Sequence, residues 1–357
     1  MEPQPTSRSR ATFGKEILLL RALGLELLST TEAAALAAAG WAGRGDHKEA
    51  DRRAVDGMRA AFSIAELDGV VVTGEGEKDD APMLFNGERV GNGRPPMIDL
   101  AIDPLEGTRL LAETAPNSVS VVGAAERGAM WSPGPAFYMD KLAVPREAAS
   151  VIDMTAPPGV NLARIAKALD KEIGELAVFV LDKPRHAVLI ADIREAGARV
   201  KLAPDGDVLG GILAALPNGG VDVLMGVGGT PEAVILACAL KALGGEMQCR
   251  LAPQKEDERA NVRDHGLDTS RILTVDELVH GEHSVFAATG VTGGDLLEGV
   301  GEEAGHPTTS SLLLDSVAKT VRFVRTVHDT SVGAPEEPVG RSDVPKTALG
   351  SQGTSGS

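Results

Sequence analysis

Cysteine is nearly absent from this chain of 357 residues, with only Cys238 and Cys249. Two cysteines cannot staple a chain of this size, and no C-x-x-C occurs, so both are expected as buried reduced thiols of a cytoplasmic protein. Aromatic residues are also few, at 2 Trp, 1 Tyr and 7 Phe. That scarcity argues against a stacking platform for single-stranded nucleic acid. Positive charge is outweighed, with 35 Lys and Arg against 51 Asp and Glu and a formal net charge of -16. Such a chain is a poor nonspecific ligand for DNA, RNA or anionic lipid, all of which need neutralising cations. No uninterrupted apolar run approaches the ~20 residues that span a bilayer. The N-terminus, MEPQPTSRSRATFG, has no apolar core of a secretory signal. Neither nucleic acid nor membrane is therefore an expected partner.

Several familiar motifs are missing as well. There is no G-x-x-x-x-G-K-[ST], no G-x-S-x-G and no H-E-x-x-H. Gly226-x-Gly228-x-x-Pro231 has Pro where a dinucleotide fingerprint needs its third Gly, and no early βαβ unit precedes it. His280 and His283 form the single close histidine pair, in a polar loop where surface solvation is expected rather than zinc binding.

The chain has the balance of a globular protein, at 43% hydrophobic and 24% charged residues. Its length suits one large α/β domain or two coupled halves. Helices are expected from Lys15 to about Ala42 and from about Lys48 to Glu66, then a strand over Val70–Thr73. Met97–Ile102 and Asn117–Ala124 read as strands, and Ala136–Val144 with Ala149–Met154 as a strand pair. Beyond Pro157 helices and strands alternate. Helices are expected at Leu162–Leu169, Arg185–Ala196, Asp207–Leu216 and Pro231–Leu243, and strands at Leu176–Leu181, Arg199–Leu202, Val221–Met225 and Met247–Leu251. Ser284–Val291, Thr308–Asp315 and Lys319–Val327 read as a closing meander. The alternation implies sheets covered by helices. The expected organisation is a flexible arm over residues 1–13, a domain over 14–330 with halves near 14–175 and 176–330, and a disordered tail over 331–357.

Acidic residues gather where apolar runs end. Glu75-Gly-Glu77-Lys-Asp-Asp80 follows the Val70–Thr73 strand, Asp99 to Glu106 brackets Leu100–Ile102, and Glu232 follows Pro231 after the Val221–Met225 strand. In α/β sheets ligands bind at such strand ends. Carboxylates assembled there repel unless a cation is present, and hard divalent ions select oxygen ligands. Asp99 and Asp103, four residues apart on a strand, share a face. Asp103-Pro104 with Gly107-Thr108 makes a turn that can gather a carboxylate, backbone amides and a hydroxyl around a metal-bound phosphate. The basic run Lys183-Pro184-Arg185-His186 suits an anion clamp for a second phosphate, with Arg as a planar fork and Lys as a point charge. Pro204-Asp205-Gly206-Asp207 suits either a helix-opening turn or acceptors for sugar hydroxyls.

Taken together and in order, these segments resemble one family. They are Gly-Arg-Gly-Asp46, Gly74-Glu75-Gly76-Glu77 with Ala81-Pro82-Met83, Asp103-Pro-Leu-Glu-Gly-Thr108, Tyr138-Met-Asp-Lys141, Lys183-Pro-Arg-His186, Pro204-Asp-Gly-Asp207 and Gly228-Gly-Thr-Pro-Glu232. The chain from about residue 15 to 328 resembles the bacterial class II fructose-1,6-bisphosphatases, relatives of the lithium-sensitive sugar phosphatases such as inositol monophosphatase. The resemblance implies a layered α/β/α/β/α sandwich. It implies Mg²⁺ or Mn²⁺ on Asp46, Glu75, Asp103, Glu106 and Glu232, with Asp46, Glu75 and Thr108 in the catalytic group. It also implies sugar-bisphosphate contacts from Glu106, Gly107, Thr108, Tyr138, Lys183, Pro184, Arg185, Asp205, Gly206, Asp207 and Gly229. The activity implied is removal of the 1-phosphate of fructose 1,6-bisphosphate by a cytoplasmic homo-oligomer. A sedoheptulose 1,7-bisphosphatase and a non-catalytic metabolite-binding paralogue are the alternatives. The chain departs from the family pattern at His47, at Arg52 and Arg53, and at Ala233.

Overall fold

The structure, a computed structural model, describes residues 10–74 and 84–329, with side chains from residue 22 onward. The Leu- and Ala-rich stretch forms α1 (Arg10–Ala39), and Asp46 opens α2 (His47–Ile64) by accepting the Glu49 amide at 3.0 Å. Next come β1 (Asp68–Thr73), β2 (Arg89–Val90), β3 (Met97–Glu106), α3 (Thr108–Ala112), β4 (Val119–Glu126) and β5 (Tyr138–Val144). The middle alternates through α4 (Pro158–Ala168), β6 (Ala177–Leu181), α5 (Ala187–Glu195), β7 (Arg199–Ala203), α6 (Asp207–Ala215), β8 (Val223–Gly229), α7 (Thr230–Leu243) and β9 (Glu246–Leu251). The chain closes through α8 (Glu256–Asp264), α9 (Val275–Leu278), β10 (Ser284–Gly290), β11 (Gly301–Glu303), β12 (His306–Asp315) and β13 (Thr320–Val327).

These strands make two sheets. The larger runs β11-β12-β10-β4-β3-β1-β2, with β13 on β12, and the smaller runs β7-β6-β8-β5-β9. β1 and β3 are parallel, as are β6 with β7 and with β8, while β4, β5, β10 and β12 pair antiparallel with their neighbours. The layering does not follow a single cut of the chain. The whole smaller sheet, residues 138–251, is inserted between β4 and β10 of the larger one.

Period-2 alternation sends each strand's side chains into two different cores. On β4, Val119, Val121 and Ala125 face the central core, and Val122 and Ala124 face the core under α1 and α2. On β6, Phe179 and Leu181 join the central core, and Val178 and Val180 join the core under α4 and α5. Helices α6 and α7 fill the space between the sheets, so the order of layers is helix, sheet, helix, sheet, helix. This is the expected α/β/α/β/α sandwich. Helix α7 is apolar on all sides because both sheets cover it, and Ala233 to Leu240 are buried throughout. Its approach to β4 is close enough that a Cβ on Gly123 would lie 2.7 Å from Cys238 Sγ. Cys238 and Cys249 are both buried, as expected, and desolvation pushes each thiol up to about 12.

Some expectations fail locally. Ala149–Met154 forms no strand. Pro145 and Pro157–Pro158 bound the segment, and its amides go to local turns and side chains: Ala149 N to Arg146 O at 3.2 Å, Val151 N to Ala148 O at 3.1 Å, Asp153 N to Asn161 Oδ1 at 2.9 Å and Met154 N to Gln248 Oε1 at 2.7 Å. Helix α1 starts five residues before the expected Lys15. Of the expected arm over 1–13, residues 10–13 belong to α1, while residues 1–9 and the expected tail over 331–357 lie outside the described residues. The stretch Ala22–Ala39 of α1 is apolar and long enough to cross a membrane, but 56% of it is buried inside the protein. There it packs as an outer helix on the larger sheet.

The tight α7–β4 seam carries a testable consequence. Gly123→Val overpacks it against Cys238 and lowers unfolding stability by about 1–3 kcal/mol, read from the urea midpoint with the slope unchanged.

Candidate active site

The site is built at the end of β3. The β3–β4 register slips between Asp103 and Glu106, so the last turn of the strand leaves the regular ladder. Asp103 Oδ1 accepts the Leu105 amide at 2.9 Å, and Thr108 Oγ1 donates to Leu105 O at 3.0 Å. These two bonds tighten the Pro104–Gly107 turn. Glu106 is buried, at 6% exposure. Glu232 arrives from the first turn of α7, where its charge also suits the helix dipole. Carboxylate oxygens of Asp103, Glu106 and Glu232 lie within 4.8 Å of one another.

Two glycines allow this convergence. A Cβ at Gly229 would lie 1.8 Å from Glu232 Oε2, and one at Gly228 would lie 1.8 Å from Asp207 Oδ2. Any larger residue at either position would displace an acid. Gathering the acids under cover has an electrostatic cost. Burial first, and then repulsion from Asp207 and Glu232, pushes the Glu106 carboxyl up to about 8. An oxygen-only donor set under mutual repulsion fits a hard divalent cation, and these residues can hold one.

Asp207 opens α6 and is answered by Lys141 on β5, Nζ to Oδ2 at 2.7 Å, with Lys141 only 1% exposed. On its other side the site turns basic. After β6, the turn Lys183–His186 is fixed by a buried imidazole. His186 Nδ1 lies 2.7 Å from Leu181 O, and His186 Nε2 accepts the Val227 amide at 2.8 Å. Accepting at Nε2 leaves the proton on Nδ1, facing the Leu181 carbonyl. Burial, more than the neighbouring Arg185 charge, pushes the His186 pKa down and keeps the ring neutral. Arg185 then donates Nε and Nη2 to Val227 O at 3.1 and 2.7 Å, and its guanidinium sits 5.3 Å from the centre of the Tyr138 ring. Lys183 pairs with Asp205 at 3.2 Å.

Two adjoining cavities result. One of about 470 Å³ is lined by His47, Asp103, Glu106, Gly107, Thr108 and Arg109. The other, about 440 Å³, is lined by Tyr138, Lys183, Arg185, Gly206, Asp207 and Gly229. Both include Glu106, Asp205 and Glu232 in their walls, so the acidic and basic ends form one cleft of a size that takes small ligands.

Most of the expected site residues therefore meet. Pro184 does not line either cavity and instead opens the short turn that carries Arg185. Asp46 is exposed and caps α2, while its neighbour His47 lines the acidic cavity. Glu75, with Glu77 and Ala81-Pro82-Met83, lies outside the described residues. Asp99 belongs elsewhere. Although it shares a strand face with Asp103, four residues of strand carry it about 13 Å away. It is buried there, accepting the Gly128 and Met130 amides at 2.8 and 3.2 Å. Arg52 and Arg53 are spent on α2 itself, pairing with Glu49 and Asp56 at helical spacing. Ala233 is buried inside α7.

Lys255 and Glu258 carry no sequence expectation, and Lys141 enters only as the end of the Tyr138–Lys141 motif, without a role. Lys141 has a visible signal, a lone charge at an inward position of an apolar strand. Glu258 has none, since it sits in a charged run. It is 2% exposed and accepts the Phe137 and Tyr138 amides at 2.8 and 2.9 Å and the Gln254 amide at 2.8 Å.

Fold and site together place the chain among the α/β-sandwich phosphatases. Residues 21–328 match the family described as bacterial fructose-1,6-bisphosphatase, glpX-encoded, and the chain belongs to that family. It is 40% identical over 321 residues to a fructose-1,6-bisphosphatase class 2 of Haemophilus influenzae, an alignment spanning 86% of this chain and 96% of that protein. It is likewise 40% identical to a protein of Escherichia coli K12 named fructose-1,6-bisphosphatase 1 class 2, over 86% of this chain and 95% of the relative.

The Glu106 environment predicts a pH effect. Its folded-state pKa lies above the ordinary 4.5, so the unfolded chain releases this proton first as pH rises. In chelator, folding stability should therefore fall between about pH 4.5 and about pH 8, and Glu106→Gln should flatten that fall. Thermal unfolding across this range checks it, and an identical slope in both proteins would refute the assignment.

Proposed function

We infer that the protein hydrolyses the 1-phosphate of fructose 1,6-bisphosphate, giving fructose 6-phosphate and inorganic phosphate. The observation that carries this reading is the single cleft with buried carboxylates at one end and Lys183 and Arg185 at the other. A bisphosphate presents anions at both ends, and each end of the cleft answers one of them.

In this reading Asp103, Glu106 and Glu232, joined by Asp46 and Glu75, hold Mg²⁺ or Mn²⁺. An ion held there would neutralise phosphate charge, lower the pKa of a water and stabilise the leaving sugar oxygen. The chain's own groups do the positioning. Thr108 spends its proton on Leu105 O, which leaves its oxygen lone pairs to accept a hydrogen bond from the attacking water. Gly107 and Thr108 sit beside the scissile phosphate. Tyr138 and the Asp205–Asp207 turn hold the sugar. Lys183 and Arg185 hold the distal phosphate, and that remote binding orients the reacting end. No protein nucleophile is needed. The setting is the cytoplasm, and the working form a homo-oligomer.

Phosphate release is measured with Mg²⁺ and with Mn²⁺ across a panel of sugar mono- and bisphosphates, sedoheptulose 1,7-bisphosphate included. Fructose 1,6-bisphosphate should give the highest kcat/KM. Metal-dependent release from none of them, with bisphosphate binding retained, would make the protein a binding paralogue instead. Within an active enzyme, Thr108→Ala should lower kcat by about a hundredfold with little change in KM. Arg185→Ala should chiefly raise KM, by about tenfold.

A further inference from the structure

Lys255 lines the Tyr138 cavity together with Lys183 and Arg185, on a wall that also carries Asp257 and Glu258, and no motif points to it. Its position is locally unfavourable. It is the residue that caps the N-terminus of α8, where a cation opposes the helix dipole, and its side chain makes no capping bond. The three residues that follow, Glu256, Asp257 and Glu258, are the acids a helix start favours. A local rule broken beside a cavity marks a functional position.

The other two cations of that wall are already engaged. Lys183 pairs with Asp205, and Arg185 is committed to Val227 O and to the face of Tyr138. Among the described residues, no hydrogen bond or ion pair engages the Lys255 ammonium. Its backbone is nonetheless firmly placed. Glu258, one turn along α8, reaches back to the Gln254 amide and across to the Phe137 and Tyr138 amides at 2.8–2.9 Å. One buried carboxylate thus ties the start of α8 to the start of β5. It sets Lys255 and Tyr138 on the same wall.

We propose that Lys255 is a specificity-determining residue of this cleft: its ammonium binds the phosphate at the far end of the sugar, so that a sugar bisphosphate is preferred over a sugar monophosphate. This rests on the bisphosphatase reading above. Lys183 and Arg185, each tied to an internal partner, keep further donors for that phosphate, and Lys255 adds an uncommitted charge.

The test compares fructose 1,6-bisphosphate with fructose 1-phosphate, which keeps the scissile group and lacks the distal one. For Lys255→Gln the ratio of the two kcat/KM values should drop by about tenfold, mostly through KM for the bisphosphate, as expected for loss of one charge-assisted contact. Lys255→Arg should recover much of the ratio. Calorimetric affinity for the bisphosphate, which needs no turnover, should weaken in the Gln variant and recover in the Arg variant. An unchanged ratio, or an equal loss on both substrates, would overturn the role of Lys255. Wild-type protein that neither hydrolyses nor binds the bisphosphate would instead overturn the functional reading on which it rests.

Discussion

Like charges held together under cover set the terms for the rest of this molecule. Glu106, Asp207 and Glu232 come from three different elements and are kept close enough that Asp207 and Glu232 raise the proton affinity of Glu106. Left alone they would push the ends of β3, α6 and α7 apart. One part of the repulsion is answered inside the protein, by Lys141 on Asp207. Removing that lysine would strand a buried carboxylate, and removing the carboxylate would strand a buried ammonium; either is costlier than losing the pair together. The remainder is answered by a proton on Glu106 or by a bound cation, which links the stability of the cleft to pH and to occupancy.

The sandwich exists, from the site's point of view, to hold that arrangement. Helix α7 is sealed between two sheets along most of its length, so Glu232 at its first turn cannot drift. Helix α6 shares the same layer and presents Asp207 from its own first turn. The glycines of β8 let both acids approach the backbone of one strand. That strand also takes both neutral and charged contacts from the Lys183–His186 turn, because Val227 offers its amide to His186 and its carbonyl to Arg185. A neutral imidazole suits this role. It can donate at one nitrogen and accept at the other, and a second positive charge beside Arg185 would be repelled. Acidic and basic ends are therefore braced against one strand, and their separation is set by backbone rather than by flexible side chains.

The sequence disclosed much of this for physical reasons. Short, near-continuous apolar runs bounded by turn residues marked nearly every strand of the two sheets, since strands covered on both faces leave that imprint. Acidic residues after apolar runs pointed to the cleft because strand ends must face it. Asp99 misled for a related reason: sharing a strand face says nothing about position along the strand, and its carboxylate serves the amides of the loop after β4. Ala149–Met154 looked like a strand by composition, yet prolines bound it on both sides and local turns and side-chain acceptors took its amides. The role of Glu258 was invisible. Helix α8 buries only Glu258 and Val262, so it lacks an apolar stripe. A carboxylate that accepts three backbone amides across more than a hundred positions of chain leaves no local pattern.

A chain of net charge -16 that takes a dianion at each end of its ligand works against its own long-range field. Electrostatic steering cannot favour the encounter, so binding must come from contacts shorter than a Debye length of about 8 Å. This accounts for Lys183 and Arg185 sharing one cavity, and for their being held by internal partners before any ligand arrives. Pre-placed charges lose little side-chain freedom on binding. It also accounts for the asymmetry of the cleft. The basic end can be complete in the protein itself, whereas the acidic end is complementary to a phosphate only once a cation has inverted its sign. In the proposed reading the two ends divide the work: the protein alone recognises the distal group, and an ion held by the acids would enable reaction at the proximal group.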